Sequence, residues 1–229
     1  MKYRATPKAR RALATILSCL AIAMVVGAVG LLGYPTYTNI RASREQKALR
    51  SEFLTSSKLK QAYQAASSPG AATGTKVTLA EGSAVTRIQI PKIGLDTVVV
   101  QGTSNQALAA GSGHYPQTPL PCASQGNVGI AGHRTMNGHP FQHLDQLATG
   151  DKVILTTPFQ TCVYKITASV DGHANPYVTD PNDWTVIAQT PKPMLTMSTC
   201  TPEGTARQRL VARAELVSTT NTVPGASVK

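Results

Sequence analysis

The stretch "LTMSTCTPEGTARQRLVARAEL", residues 195–216, decides how the C-terminal part of the chain folds. Apolar and polar side chains alternate in "LTMST" and again in "RLVARAEL", which is the period of a β-strand with one buried face. The intervening "TPEG" contains a proline and a glycine, which are typical of a turn. We therefore predict two neighbouring strands that are joined by a loop, with Cys200 at the end of the first and Arg209 at the start of the second.

Further short strand patterns lie upstream, and turn residues separate them. From Val85 onwards the apolar or alternating segments are "VTRIQI", "LDTVVV", "NVGIAG", "KVILTT" and "CVYKITASV". The tetrapeptide "PFQT" between the last two is typical of a hairpin. From Val85 onwards, the only segment with a helical period is "PFQHLDQL", residues 140–147. The pattern predicts one all-β barrel or sandwich of about 130 residues.

An uncharged apolar segment precedes the β-rich part. Residues 12–32 contain no charged side chain, and a helix of that length spans about 31 Å, close to the hydrocarbon thickness of a bilayer. A cleavable signal peptide has a shorter apolar core, so we predict an uncleaved anchor and keep cleavage as the alternative. Basic residues adjoin the segment on its N-terminal side, whereas Arg41 lies nine residues beyond it. The N-terminus is therefore predicted in the cytoplasm and the rest outside.

These patterns divide the chain into five segments. We predict a basic cytoplasmic tail, a transmembrane anchor, a juxtamembrane helix with a linker, the folded β-rich domain and a flexible tail, which are residues 1–11, 12–33, 34–84, 85–218 and 219–229.

The net charge of +11 does not indicate a nucleic-acid-binding protein. Residues 1–60 carry 11 Lys and Arg against 2 Asp and Glu, whereas residues 61–229 carry 11 against 9. The excess therefore flanks the apolar segment, where it suits anionic lipid headgroups. The β-rich part has no basic stripe with interleaved aromatic residues, which a nucleic-acid surface would need.

Cys200 lies at the end of a predicted strand, a position that suits a nucleophile. A strand end holds a side chain rigidly at the edge of a cleft, but a thiol is mostly protonated near pH 7 unless a base or a cation assists it. His133 ends the strand "NVGIAG" and is the candidate base; Arg209 is the candidate cation, with Arg207 and Arg213 as alternatives. A cysteine, a base and a fixed cation suit acyl transfer. The alternative is a buried, inert cysteine, which is the usual state of a lone thiol.

Two motifs carry a family resemblance. "NVGIAGHR", residues 127–134, together with "LTMSTC" and an arginine nine residues after the cysteine, is similar to the sortases. These are cysteine transpeptidases that attach secreted proteins to the cell wall of Gram-positive bacteria. The resemblance implies an eight-stranded sortase-type β-barrel with one or two short helices, preceded by an N-terminal transmembrane helix. It also implies that His133, Cys200 and Arg209 are the catalytic residues.

The class of sortase follows from further segments. "PFQHLDQL" before "GDKV" is similar to the actinobacterial class E, whereas "TCTPEG" is similar to class C, which polymerises pilins. Met197 replaces the leucine of the family's T-L-x-T-C strand, a near-isosteric exchange. The single N-terminal anchor fits class E, D or A better than class C, and we see no lid segment before residue 85. We therefore expect a class E-like enzyme and keep a class C-like pilin polymerase as the alternative.

The resemblance also implies the reaction and its partners. A sortase cleaves an LPXTG- or LAXTG-like sorting signal between Thr and Gly and transfers the acyl chain to an amine of a cell-wall precursor of the lipid II type. The implied partners are secreted proteins with a C-terminal sorting signal. The implied location is the cell membrane, in a single pass with the catalytic domain outside. No metal or organic cofactor is required.

Two residues are assigned to substrate binding. Tyr115, in "GSGHYP", occupies a loop where class E sortases carry a tyrosine that is linked to a preference for Ala over Pro in the signal; a half-buried structural tyrosine is the alternative. Thr199 precedes Cys200, and the strand period turns its side chain to the opposite face. The loop of residues 171–193 is either a wall of the substrate groove or a surface excursion, and its candidate residues are Asp180, Asp183 and Trp184.

Cys122 and Cys162 are predicted to form a disulfide. Both lie in the part expected outside the membrane, where thiols oxidise. Cys122 comes shortly before the "NVGIAG" strand and Cys162 opens the strand after the "PFQT" hairpin, so the two can meet at one rim of a barrel. Two partly buried free thiols are the alternative.

His139 and His143 have the i, i+4 spacing of some zinc sites. No third ligand accompanies them in the sequence, so we predict no metal site there.

Two other classes of function remain open. An L,D-transpeptidase also uses Cys, His and Arg outside the cell, but its S-H-G-C-x-R type of motif does not match "STCTPEG". An anchored extracellular binding module with an inert cysteine would differ from an enzyme in the reactivity of Cys200.

Overall fold

The structure is a computed structural model that describes residues 7–66, 79–170 and 172–221. The chain forms two compact units, which meet in sequence between Tyr37 and Thr38. Most of the predicted flexible tail, part of the predicted linker and the first six residues of the basic tail lie outside the described residues.

Helix α1, Pro7–Thr55, contains the segment predicted as a membrane anchor. Within the described residues it is the one helix that is long and apolar enough to cross a membrane. The helix runs past Tyr37 into the second unit, where α2, Ser57–Ala66, follows it. The part of the chain expected to be a juxtamembrane helix is therefore helical up to Ala66, apart from a break at Ser56.

The second unit contains a closed β-barrel, as predicted. Eight strands follow one another in the order β10-β4-β3-β2-β1-β5-β6-β11, and pairing of β10 with β11 closes the ring. In chain order these strands are β1 (Ala84–Ile90), β2 (Leu95–Gln101), β3 (Ser112–His114), β4 (Asn127–Gly132), β5 (Lys152–Thr156), β6 (Gln160–Ile166), β10 (Met194–Thr201) and β11 (Gln208–Asn221).

Three shorter strands lie between β6 and β10. Strands β7 (Ser169–Val170) and β8 (His173–Ala174) form a separate ribbon, and β9 (Tyr177–Thr179) pairs with the first part of β11. The described helical elements of the barrel are short: α3 (Asn105–Leu108) and the 3-10 turns Pro91–Ile93, Leu144–Gln146 and Trp184–Ile187.

Two local expectations have different outcomes. The predicted hairpin around "PFQT" is present, because β5 and β6 pair antiparallel on either side of it. The helical period of residues 140–147 corresponds to a single 3-10 turn, Leu144–Gln146, rather than to a helix over the whole segment. Phe141 and Leu144 are both fully buried in the barrel core. Burial of these two side chains under the sheet, rather than an amphipathic helix, explains their spacing.

The barrel core consists of alternate residues of the strands. Leu195 and Met197 of β10, together with Leu210 and Ala212 of β11, point inward with almost no exposure. Their neighbours in sequence therefore face the outer surface, because successive side chains on a strand point to opposite faces. This alternation places Cys200, near the end of β10, and Arg209, near the start of β11, outside the barrel.

Helices of the second unit cover the outer face of β1 and β2. Leu49, Phe53, Leu59 and Tyr63 pack in one apolar cluster with valines of the two strands. The side-chain amide of Gln46 bonds with both the N–H and the carbonyl of Val98 in β2, and its Nε2 also donates to the carbonyl of Ala110. It therefore satisfies backbone groups there as another strand would.

A disulfide joins Cys122 to Cys162, the pair expected from the sequence, with Cα atoms 5.7 Å apart. Cys162 is fully buried in β6, and Cys122 precedes β4. Strand β11 reaches Asn221 and pairs there with β6, so the first three residues of the predicted flexible tail belong to the sheet.

Candidate active site

Cys200 and Arg209 lie on one outer face of the barrel. They are register partners in the antiparallel β10–β11 ladder, next to the loop that joins the two strands. Met197 and Leu210 are in the core, so the strand alternation turns Cys200 and Arg209 outward. Cys200 is a free, half-buried thiol. The nucleophile and the cation predicted from the sequence are therefore side by side on adjacent strands.

His133 follows the end of β4, on the other side of β10. Strands β4 and β10 run parallel, and their last register pair joins Ala131 to Ser198. His133 and Cys200 each lie two residues beyond that pair, so the two side chains come at the same level of neighbouring strands. Burial lowers the pKa of His133. Its neutral form is thus favoured near pH 7, and a neutral imidazole can take the thiol proton.

The three candidate arginines have different environments. Arg209 is half-buried, and its Nη1 donates to the carbonyl oxygens of Ala206 and Gln208, both at 3.2 Å. Arg213 lies on the same face of β11 but is only 5% exposed, and its guanidinium bonds to backbone carbonyls. Arg207 is exposed in the loop. Of the three, Arg209 is the register partner of the cysteine.

Tyr115 lies across β4 and reaches β10. Its hydroxyl is 3.1 Å from Oγ of Ser198, two residues before Cys200. A Cβ atom added to Gly129 of β4 would lie 2.8 Å from Tyr115 Cδ2, so the close approach of the ring requires a glycine in "NVGIAG". The tyrosine thus lies on the outer face of β4 and β10, the face that also carries Cys200.

The loop between β6 and β10 forms a wall on this face. The 3-10 turn Trp184–Ile187 packs Val186 and Ile187 against Val211 of β11. Arg213 Nη2 donates to the Val186 carbonyl at 2.9 Å, and Asn127 Nδ2 donates to the same carbonyl at 2.9 Å. The wall is therefore fastened to both β11 and β4.

Two acidic residues of this loop have local partners. Asp183 accepts hydrogen bonds from Thr179 and Thr185, which lower the pKa of its carboxyl group. Asp180 accepts the N–H of Asn182. Trp184, next to Asp183, is 63% exposed.

A cleft of about 620 Å³ connects these features. It brings together most of the site residues expected from the sequence, namely Tyr115, His133, Thr199, Cys200 and Arg209, and the loop contributes Asp183 and Trp184 to its lining. Asp180 is absent from that lining. Thr199 is 3% exposed, and in the described part of the chain its Oγ1 has no hydrogen-bond partner.

The family model of the sortase domain matches residues 88–217. This chain belongs to the sortase family. The matched range covers the whole barrel except the first strand residues and the end of β11, so the predicted resemblance is confirmed over nearly the same boundaries.

Relatives of this sortase include class E enzymes of Streptomyces. Sortase SrtE1 of Streptomyces coelicolor is 31% identical over 150 residues, which cover 59% of this chain and 41% of that protein. This chain thus matches less than half of the length of that relative. The structure of sortase E from Streptomyces avermitilis superimposes with a TM-score of 0.56 at 31% identity, over 66% of this chain and 98% of that one. Sortase E1 from Streptomyces coelicolor, solved with a tripeptide in its active site, gives 0.57 at 29%, over 65% and 97%.

The sortase site includes three residues that the sequence pattern does not mark as functional. Ser198 bonds with Tyr115, Asn127 fastens the wall, and Arg134 is buried beside His133. Ser198 and Arg134 stand inside the two motifs that carry the resemblance, and that position is the only signal that marked them. Asn127 opens one of these motifs, but its hydrogen-bond partners lie about 60 residues away in the chain, so the motif did not indicate that it fastens the wall.

His139 and His143 lie in the loop after His133. Nδ1 of His143 is 3.2 Å from Nε2 of Gln146. In the described residues no group of three or more His, Cys, Asp or Glu side chains is arranged to hold a metal ion.

Proposed function

We propose that this sortase is a cysteine transpeptidase in which Cys200 is the nucleophile, His133 the proton carrier and Arg209 the oxyanion or backbone-carbonyl donor. The observation that carries the proposal is the position of Cys200 between the other two, with Arg209 as its register partner on β11 and His133 at the same level after β4. All three line one cleft.

The first half of the reaction forms a thioester. The Cys200 thiol gives its proton to neutral His133, and the thiolate adds to the carbonyl carbon of the Thr–Gly bond of the signal. Arg209 has five N–H donors, and Nη1 supplies both of its bonds to protein carbonyls, so other donors remain for the oxyanion. The Thr–Gly bond then breaks, and the imidazolium gives its proton to the departing glycine amine.

The second half reverses these roles. An incoming amine loses a proton to His133 and attacks the thioester carbonyl, which forms an amide and regenerates the Cys200 thiol. The lowered pKa of His133 suits this step, because a free imidazole is required to accept the proton. The acceptor that we propose is an amine of a lipid II-type cell-wall precursor.

We further propose that the substrates are secreted proteins with a C-terminal LPXTG- or LAXTG-like signal, and that the enzyme works outside the cell on a single-pass anchor. The apolar part of α1 supports the anchor. The tripeptide in the active site of the Streptomyces coelicolor enzyme supports a peptide substrate for this cleft. Tyr115, on the cleft floor beside Ser198, is the candidate reader of the second signal position; Thr199 is the candidate polar group beneath the cysteine.

The full chain in detergent micelles, incubated with a panel of L-x-x-T-G peptides and hydroxylamine, tests the reaction class. We expect a thioester adduct on Cys200 and a hydroxamate product by mass spectrometry, with neither in Cys200→Ala. Undiminished cleavage by Cys200→Ala would exclude this mechanism. A thiol that reacts with iodoacetamide only as fast as free cysteine, with no peptide turned over, would favour a binding module instead.

A further inference from the structure

We propose that Arg134 is a positioning residue that sets the separation between His133 and Cys200. The inference rests on the proposed function, because it assigns those two residues the proton carrier and the nucleophile. Arg134 follows His133 directly, and Thr201 follows Cys200 directly. Nη1 of Arg134 donates to Oγ1 of Thr201 at 2.8 Å. One hydrogen bond thus joins the immediate neighbours of the two reacting side chains.

The Arg134–Thr201 bond lies beyond the end of the β4–β10 ladder, where it can fix the separation of the two strand ends. The ladder ends at the pair Ala131–Ser198, so His133 and Cys200 both lie beyond the last register pair. The Arg134–Thr201 bond continues the cross-link into this unpaired part. Both Arg134 and Thr201 are 8% exposed, whereas Cys200 is half-buried and open to the cleft. The bond therefore braces the two strand ends from the buried side.

The same guanidinium contacts two further segments of the site. Nη2 is 3.1 Å from Oδ2 of Asp145, in the 3-10 turn Leu144–Gln146, and Nε is 3.4 Å from Oε1 of Glu203. Glu203 lies in the loop whose Ala206 carbonyl holds Arg209. Arg134 therefore connects the ends of both strands to the loop that precedes the third catalytic position.

The residue type fits this function. A guanidinium is planar and directs its N–H groups along several fixed directions, whereas a lysine ammonium is a point charge on a flexible stem. Two carboxylates about 50% exposed lie within ion-pair distance of the guanidinium and compensate the charge of a side chain that is largely buried where it lines the cleft. Its effect on the reaction is through geometry, and a misplacement of about 1 Å in a catalytic pair can cost about 100-fold in rate.

The decisive variant is Thr201→Val, with Thr201→Ser as its matched control. Valine keeps the shape of threonine and removes the acceptor oxygen, whereas serine keeps the oxygen. For cleavage of a quenched LAXTG peptide by the full chain in micelles, we expect Thr201→Val to lower kcat about 10- to 100-fold with little change in KM. Thr201→Ser should stay within about 3-fold of the wild type, and both should keep the wild-type melting temperature within a few degrees.

Two further measurements separate positioning from general stability. In a double-mutant cycle, Arg134→Gln combined with Thr201→Val should be no slower than Arg134→Gln alone, because both remove the same bond. The pH profile of Cys200 alkylation by iodoacetamide should shift in Thr201→Val in the same direction as in His133→Gln, since both weaken the contact of the thiol with the imidazole.

The outcomes are distinct. A wild-type kcat in Thr201→Val, additive effects in the cycle, or a full loss in Thr201→Ser would overturn the positioning function of Arg134. If the wild type cleaves no peptide, the proposed function fails, but the alkylation profile still decides whether the Arg134–Thr201 bond sets the histidine–cysteine contact. An unchanged profile in Thr201→Val would refute the inference in either case.

Discussion

Cys200 of β10 and Arg209 of β11 are register partners across an antiparallel ladder, and both point away from the barrel core. The same ladder continues to Thr196 and Arg213, four residues further from the connecting loop. Two arginines with the same orientation therefore lie on one strand face, yet only one of them is next to the thiol. The other is buried under the wall of the cleft.

The two arginines should respond differently to substitution. Arg209→Ala should lower kcat/KM for peptide cleavage about 100- to 1,000-fold, because it removes the oxyanion donors, and should leave the melting temperature unchanged. Arg207→Ala is the matched control and should have nearly wild-type kinetics, since Arg207 is exposed in the loop. If Arg207→Ala and Arg209→Ala were equally impaired, the function of the donor would need to be reassigned.

Arg213→Met should lower the free energy of unfolding, and not only the rate of peptide cleavage. The buried guanidinium donates to the carbonyls of Thr185 and Val186, and methionine would remove this donor from both, which leaves the Val186 carbonyl with the Asn127 amide. We expect the free energy of unfolding to fall by about 3 kcal/mol, measured by urea unfolding. Faster proteolysis within residues 172–193 should accompany the change. A stable variant with an intact wall would show that Asn127 and the packing of Val186 and Ile187 on Val211 suffice to hold it.

Tyr115 should influence the second position of the sorting signal. We expect the wild type to accept Ala there at least as well as Pro. Tyr115→Phe removes the hydroxyl bond to Ser198 and should change the Ala/Pro ratio of kcat/KM by about 5-fold, the equivalent of one hydrogen bond. Ser198→Ala removes the same bond from the other side and should give a similar change. Selectivity that is identical in all three proteins would exclude Tyr115 from signal recognition.

His114 should make the barrel sensitive to mild acid. Its ring is 1% exposed, and burial lowers its pKa to about 4, against an ordinary value of 6.5. Between these values the unfolded chain binds more protons than the folded one, so stability falls as pH falls. The expected contribution between pH 7 and pH 5 is about 2 kcal/mol.

The measurement is the free energy of urea unfolding at pH 7 and pH 5, for the wild type and for His114→Gln. The difference between the two pH values should be about 2 kcal/mol smaller in the variant. His133 also has a lowered pKa and remains in both proteins, so the comparison isolates His114. Equal pH dependence in the two proteins would mean that the pKa of His114 is the same in the folded and the unfolded state.

The Cys122–Cys162 bridge should stabilise the barrel. The bonded residues are 40 apart in sequence, and the chain-entropy model gives about 4 kcal/mol for a loop of that length. Cys122→Ala/Cys162→Ala should lose about this amount in urea unfolding, and dithiothreitol should destabilise the wild type but not the variant. The oxidised, denatured chain should titrate two thiols, Cys19 and Cys200; four would show that the bridge does not form.

The parts of the fold that follow from local pattern could be predicted. The alternation of residues 195–216 predicts which side chains face outward, and the ladder has Cys200 and Arg209 on that face. The β10–β11 pairing that closes the barrel and the antiparallel β5–β6 hairpin could be predicted for the same reason. In both cases two strand periods and the turn between them are visible over a few residues.

Contacts between distant segments could not be predicted in the same way. The Arg134–Thr201 bond joins residues 67 apart, and Gln46 bonds with a strand residue 52 positions away. Neither Arg134 nor Gln46 lies in a periodic pattern that indicates its hydrogen-bond partner. The short strand β3 was also missed, because Ser112–His114 is too short to show an alternation. The helical spacing of Phe141 and Leu144 misled for a related reason, since burial beneath a barrel can imitate a helix face.

The packing of the helices on β1 and β2 determines which fragments of this chain would keep a covered sheet face. A protease that cut just before Thr38 would free a unit in which Leu49, Phe53 and Tyr63 still cover the valines of the two strands. A cut just before Val85 would separate that cover from the barrel and expose Val85, Val98 and Val100 to water. Such a fragment would tend to associate through its uncovered sheet face. The position of the cut, rather than the integrity of β10 and β11, would thus determine whether the fragment stays soluble.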